Sequence, residues 1–266
     1  LLDNSDGIFA YEADGLSIAN STIHGSGGEG IRISESRDAV VRGNDVVEAN
    51  GEPGVLLDRN SHRATVVENT VRDADDSGIR VEDSNDLTID RNVVEGNSQG
   101  SDGDSGIVLR NSVGSSVADN EVHDSGIRGI YLNGQIDYPD HGPNEDVTVH
   151  NNTVTGHNVS VDVVESRNAT VTSNDLETGL LFNGTSLADF EHAVSDNTAG
   201  GEPIVYTNGA DAPDLTGEAG QIIVVDSTNV VVTDQAFENV AAGVQVAYSD
   251  GAVVENTTMT GMAGEQ

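Results

Sequence analysis

One asparagine recurs along this chain at a nearly constant interval, and that recurrence leaves few folds open. It can be followed through Asn20, Asn44, Asn69, Asn92, Asn120, Asn152, Asn174, Asn197 and Asn256, with Gln235 filling one place. The gaps are 24, 25, 23, 28, 32, 22, 23, 38 and 21 residues. Three residues before each of these except Asn20 stands a β-branched residue, as in Val41, Val66, Ile89, Val117 and Val149. Two residues after six of them stands an aliphatic residue: Val46, Val71, Val94, Val122, Val154 and Leu176. A strand alternates its side chains between faces, so a fixed Val-x-x-Asn-x-Val spacing puts two inward residues on either side of a bend. Fixed-period self-similarity of this length is the mark of a solenoid.

Three stretches display the whole unit: GIRISESRDAVVRGNDVV from Gly30, GIRVEDSNDLTIDRNVV from Gly78 and GIVLRNSVGSSVADNEV from Gly106. Each reads glycine, short alternating strand, serine turn, second strand, asparagine, third strand. Runs of Val, Asn and Gly disfavour helix, and Gly, Ser, Asn and Asp punctuate strands of about three to five residues. The spacing predicts an all-β parallel solenoid of about ten coils of roughly 23 residues, with three strands per coil forming three parallel sheets. Asn44, Asn69, Asn92, Asn120, Asn152, Asn174 and Asn197 are expected to form a structural amide ladder, since Asn tolerates a left-handed backbone and both donates and accepts. A serine column (Ser36, Ser61, Ser84, Ser112, Ser166, Ser227 and Ser249) is expected to serve another turn. Asn20 and Asn256 are expected inside the ladder and closed to glycosylation, whereas Asn158 and Asn168 are surface sequons.

The pattern resembles the right-handed, single-stranded parallel β-helix repeat proteins. The block AGQIIVVDSTNVVVTDQAFENVAAGVQVAYSDGAVVENT, from Ala219 to Thr257, is similar to NosD-type β-helix domains of archaeal cell-surface proteins. That resemblance implies an extracellular or cell-surface module, with carbohydrate-related or copper-related roles in some members. It implies no activity, because the fold hosts enzymes and inert spacers alike.

Charge decides which partners are reasonable. The 266 residues carry 46 acidic against 11 basic side chains, a net charge of −35; the basic residues are all arginine, and Asp outnumbers Glu by 28 to 18. Duplex nucleic acid is excluded as a partner, and a lysine-free acidic coat points to a protein adapted to high salt. No cysteine is present, so disulfides, thiolate metal sites and a cysteine nucleophile drop out. With only Met259 and Met262 as further sulfur donors, a soft copper site cannot be assembled. No apolar run approaches the roughly 18 residues of a membrane helix, so direct membrane insertion is not expected. Residues 1–266 read as one β-helix domain, cut from a longer protein, with insertions at 135–144 and 206–219.

Chemistry is expected on the outward positions of the first strand of each coil: Phe9, Tyr11, Arg32, Ser34, Leu56, Asp58, Arg80, Glu82, Val108, Arg110, Tyr131, Asn133, Ser160 and Asp162. Arginine beside carboxylate and tyrosine on a long exposed stripe suits a sugar polymer, through bidentate hydrogen bonds and ring stacking. The insertion QIDYPDHGPN adds Asp137, Tyr138, Asp140 and His141 above it. A polyuronate lyase or epimerase would take its base from His141 or Arg110, its carboxylate neutraliser from Arg110 or Arg80 and its acid from Tyr138 or Tyr131. Arg80, Glu82, Asn133, Asp137, Asp140 and Asp162 would bind substrate, and a glycoside hydrolase is the other enzymatic option. No cofactor is required; Asp76, Asp102 and Asp104 are candidate calcium ligands, although they match no ordered calcium loop. The reading favoured over an enzyme is a structural or partner-binding surface module whose partner is a polysaccharide or another cell-surface domain.

Overall fold

The structure, a computed structural model, describes residues 6–98, 105–134, 142–213, 215 and 217–262. The first sheet holds eight strands in chain order: Ile8–Tyr11, Ile31–Ser34, Val55–Asp58, Ile79–Glu82, Ser105–Arg110, Arg128–Asn133, Val159–Val164 and Leu180–Asn183. The second sheet stacks eight more, from Ser17–Ala19 to Ala193–Ser195, and the third runs from Thr22–Ser26 through Thr198–Ala199 and beyond. Every strand pair in the first two sheets is parallel. Each of the first eight coils therefore contributes one strand to each sheet, whereas further on Val231–Thr233 pairs with Val253–Glu255 and Ala236–Glu238 with Thr258–Thr260 as separate two-stranded sheets.

Alternation sets the core. In register, Ile31, Val55, Ile79, Ile107, Ile130 and Val161 stack on one inward column of the first sheet, and Ile33, Leu57, Val81, Leu109, Leu132 and Val163 on the next; all are fully buried. The glycine that opens each first strand is fixed by space. A Cβ on Gly30, Gly54, Gly78, Gly106 or Gly129 would lie 2.1–2.4 Å from a Cγ1 of Val46, Val71, Val94, Val122 or Val154. The narrow corner between the third and first sheets closes only around a residue without a side chain.

Three internal ladders satisfy the polar atoms of the corners. At the first, Asn92 Oδ1 accepts from the backbone N–H of Asn69 and from Asn69 Nδ2, both at 3.0 Å, while Asn92 Nδ2 donates to Val66 O (2.9 Å) and Asn120 Oδ1 (3.0 Å). The same pattern links Asn44 to Asn69, Asn120 to Asn152, Asn152 to Asn174 and Asn174 to Asn197. The ends differ from expectation. Ser21, not Asn20, meets Asn44, and Thr257, not Asn256, follows Gln235 in register. Asn20 and Asn256 instead occupy the exposed left-handed turn just before the ladder, with φ of 51° each.

The serine corner contains Ser36, Ser61 and Ser84, each accepting from the backbone of the preceding coil, and Asn144 takes this place in the coil that follows Ser112. The third corner runs Asn97, Ser125, His157. There Ser125 N–H donates to His157 Nε2 at 3.0 Å, and burial pushes the imidazole down to a pKa of about 4.

Outside these ladders the backbone turns through the left-handed region at 30 non-glycine positions among the described residues, 15 of them Asp or Glu. Winding changes at Gly200 and Gly201 (φ 59° and 87°), where Glu202–Asn208 doubles back antiparallel to Thr198–Ala199. The strand takes up residues expected in an insertion and leaves 209–219 as the excursion. Gln221–Val225 and Val244–Ala247 then continue in parallel. The last strand of the first sheet, Leu180–Asn183, has side-chain amides on its free edge. Gln221 bonds both backbone groups of Leu180 (2.8 and 2.6 Å), and Gln245 both of Phe182 (3.2 and 2.5 Å).

A joint rich in buried polar groups lies nearby. His192 Nδ1 accepts from Ala169 N–H, its ring lies 4.7 Å from that of Phe182, and burial lowers its pKa to about 4. Asp189 closes the adjoining turn by accepting from the N–H groups of Thr185 and Ser186.

Candidate functional site

The outward face of the first sheet is not the exposed stripe that strand alternation predicts. Phe9 and Tyr11, on the first strand, are exposed (57 % and 49 %), but Ser34, Leu56, Asp58, Val108, Ser160 and Asp162 are buried. The reason is pairing of long side chains over the face, both within a coil and between coils. Arg32 bridges Glu29 (3.2 Å) and Asp58 (2.8 Å), Arg110 meets Glu82 (2.9 Å), and Arg80 pairs with Asp76. Arg128 bonds Asp162 (2.6 Å) and lies over the Tyr131 ring, 4.6 Å from its centroid. Asn133 lies opposite Arg110 in register. The guanidinium groups that would meet a uronate are thus engaged with the protein's own carboxylates, and Asp76, a calcium candidate, is engaged with Arg80. Asp102, Asp104, Asp137, Tyr138, Asp140 and His141 lie outside the described residues.

An open concavity exists one step further round each coil, over the serine corner. Its walls are the residues on either side of Ser36, Ser61, Ser84 and Ser112, and of Ala13, which holds the serine's place in the first coil. Glu12, Glu35, Asn60, Asp83 and Asn111 come before, with Arg59 beside Asn60; Asp14, Arg37, His62, Asn85 and Val113 come after. Two adjoining hollows of about 550 and 430 Å³ share Glu35 and Asn60 and so form one trough. With coils roughly 4.8 Å apart, the four steps from Glu12 to Asn111 make it about 19 Å long.

The trough is prearranged by its own hydrogen bonds. Asp14 Oδ1 accepts from Arg37 N–H (2.7 Å), His62 Nδ1 from Asn85 N–H (2.9 Å) and Asn85 Oδ1 from Val113 N–H (2.9 Å). Asn111 Nδ2 donates to Asp83 Oδ1 at 2.6 Å. Because Nδ1 of His62 accepts, its proton sits on Nε2, and burial, followed by the charge of Arg37, lowers its pKa and keeps it neutral. Beside the Glu12 end the exposed ring of Tyr11 lies 6.4 Å from that of Phe9, and its hydroxyl interacts with Glu35 and Glu12. Glu35 and then Glu12 raise the pKa of its hydroxyl, which stays protonated as a donor. The lining offers donors and acceptors side by side over five coils.

Sequence reasoning stops at the serine column and passes over its neighbours. The signal was available: serine recurs at the corner from Ser36 to Ser112, whereas the pair flanking it changes from coil to coil and is polar everywhere except at Val113. Among the described residues no group of three or more His, Cys, Asp or Glu side chains could hold a metal ion. No helix among the described residues is long and apolar enough to cross a membrane.

Comparison with known proteins places this geometry. The periplasmic alginate epimerase AlgG, as a mutant, superposes with a TM-score of 0.53 at 21 % identity, over 91 % of this chain and 50 % of that one. The tailspike protein of E. coli bacteriophage HK620, solved with a pentasaccharide, superposes with a TM-score of 0.52 at 13 % identity, over 97 % and 56 %. These likenesses concern the fold, and the chain spans about half the length of the structures it matches. No curated protein sequence matches it. A family model described as a right-handed β-helix region matches residues 1–139, more than half of the sequence, and the chain belongs to that right-handed β-helix family.

Proposed function

We propose that this chain is an extracellular or cell-surface β-helix module that binds a carbohydrate polymer lengthwise in the trough over the serine corner. The observation that supports this reading is the form of the trough: it runs along the solenoid axis across five coils and changes its lining with each coil while the backbone repeats. An extended polymer can meet successive coils one after another, which a compact ligand cannot. AlgG, an alginate epimerase, and the HK620 tailspike, solved with a pentasaccharide, share the architecture. The NosD-type resemblance of the C-terminal block is consistent with a modular surface protein, and the acidic, lysine-free coat with adaptation to high salt. The reading requires no cofactor.

Calorimetric titration of the purified chain with oligosaccharides of increasing length, in molar KCl, tests it. Affinity should rise with length until about 19 Å of polymer is covered, and Asn60→Ala, which opens the middle of the trough, should weaken it at least tenfold. Binding indifferent to Asn60→Ala would move the ligand elsewhere, and no binding by any glycan would remove the reading.

A further inference from the structure

We infer that the ligand of the trough is an uncharged glycan and that polyuronates are excluded; the inference rests on the carbohydrate reading above and specifies its substrate class. A polymer bearing a carboxylate on each sugar needs a cation opposite each one, best supplied by a forked guanidinium. Ten of the eleven arginines already stand within 3.9 Å of a carboxylate oxygen of the protein. The trough itself contains Arg37 and Arg59 against Glu12, Asp14, Glu35 and Asp83. Arg59 Nε lies 3.8 Å from Asp58, and the backbone of Arg37 is tied to Asp14. A uronate chain entering here meets more carboxylates than cations, within the field of a molecule of net charge −35.

The same lining suits a neutral sugar. Carboxylates accept paired hydroxyls, the Asn60 amide and the Nε2–H of neutral His62 add donors, and the exposed rings of Tyr11 and Phe9 offer a platform for the apolar face of a sugar ring. Such contacts are short-ranged and largely indifferent to ionic strength, whereas repulsion of an anion is screened as the Debye length falls towards roughly 3 Å at 1 M salt.

The test is calorimetric titration at 0.5 and 3 M KCl with three sets of oligosaccharides matched in length: neutral β-linked glucose oligomers, neutral α-linked glucose oligomers and alginate oligomers, with chitosan oligomers as a cationic control. A neutral set should bind at least tenfold more tightly than alginate at 0.5 M KCl, with the ratio shrinking at 3 M. Tyr11→Ala should weaken the neutral set at least tenfold, and Glu35→Gln should narrow the neutral-to-alginate ratio by at least threefold. Alginate binding as tightly as the neutral sets overturns the inference and leaves the carbohydrate reading in place. Chitosan binding most tightly, with affinity lost at 3 M, overturns it in favour of a cationic ligand. Silence from every set removes the carbohydrate reading itself.

Discussion

Replacing Asn92 with aspartate keeps the volume and shape of one rung of the ladder and changes only its donor. Oδ1 can still accept from the two donors of Asn69, but the atom that donated to Val66 O and Asn120 Oδ1 becomes an oxygen facing two oxygens at 2.9 and 3.0 Å. Ionised, the group leaves two buried acceptors without that partner; protonated, its O–H restores one of the two donations, and each acceptor that stays unpaired costs about 1–3 kcal/mol. The carboxyl group, 1 % exposed at this position and without a cation beside it, will take up a proton sooner than remain charged. A carboxyl with an unfolded pKa of about 3.9 that folds protonated loses about 1.4 kcal/mol of stability for each pH unit above that value. Its folded pKa is raised, so the penalty is absent below pH 4 and grows upward. Between pH 5 and 7 the gap to the parent protein should therefore widen by about 2.7 kcal/mol. Asn92→Ala, which removes the acceptor shared by Asn69 and the donor to Val66, should cost about 3–5 kcal/mol with no dependence on pH. Urea unfolding followed by far-ultraviolet circular dichroism at fixed salt measures both. A flat pH dependence for the aspartate variant, or a cost below about 1 kcal/mol at pH 7, would show that the ladder does not carry the corner.

Acid should weaken the parent protein through His157 and His192, whose folded pKa values of about 4 lie below the unfolded 6.5. Stability is full above pH 6.5 and falls as pH drops towards 4, by about 2 kcal/mol per histidine at pH 5; His157→Asn should reduce that sensitivity in pH-dependent unfolding. Gly106→Ala should destabilise by about 1–3 kcal/mol, because its Cβ would lie 2.3 Å from Val122 Cγ1, and thermal unfolding reads the loss. Raising KCl from 0.2 to 3 M should raise the urea midpoint as the −35 charge is screened, and a midpoint that falls across that range would remove the salt-adaptation reading.

The fold was legible because its determinants repeat. A buried Val two places after a buried Asn appears in coil after coil, and period and alternation together admit little besides a three-sheet solenoid. Irregular joints were not legible. Nothing in Gly200–Gly201 distinguishes a reversal from a turn, and Gln221 and Gln245 meet the edge of Leu180–Asn183 from 41 and 63 residues away. The first-sheet face misled for a physical reason: alternation tells which way Asp58 or Asp162 points, but not that Arg32 or Arg128 lies across it. The trough was passed over because its residues vary while periodicity selects constancy. Glu35 and His62 flank equivalent serines without resembling one another.

The left-handed turns separate two kinds of inheritance in this molecule. After the second sheet, one backbone shape is held in turn by Asn20, Gly43, Glu68, Arg91, Asp119, Asn151, Ser173 and Asp196. The chain path at these corners is dictated from below by the ladders, so the outward residue is free to answer to the solvent. A lineage moving between fresh water and brine could rewrite this outer alphabet one letter at a time, swapping Asp for Asn or Gly, while the inner text that spells the fold stays untouched.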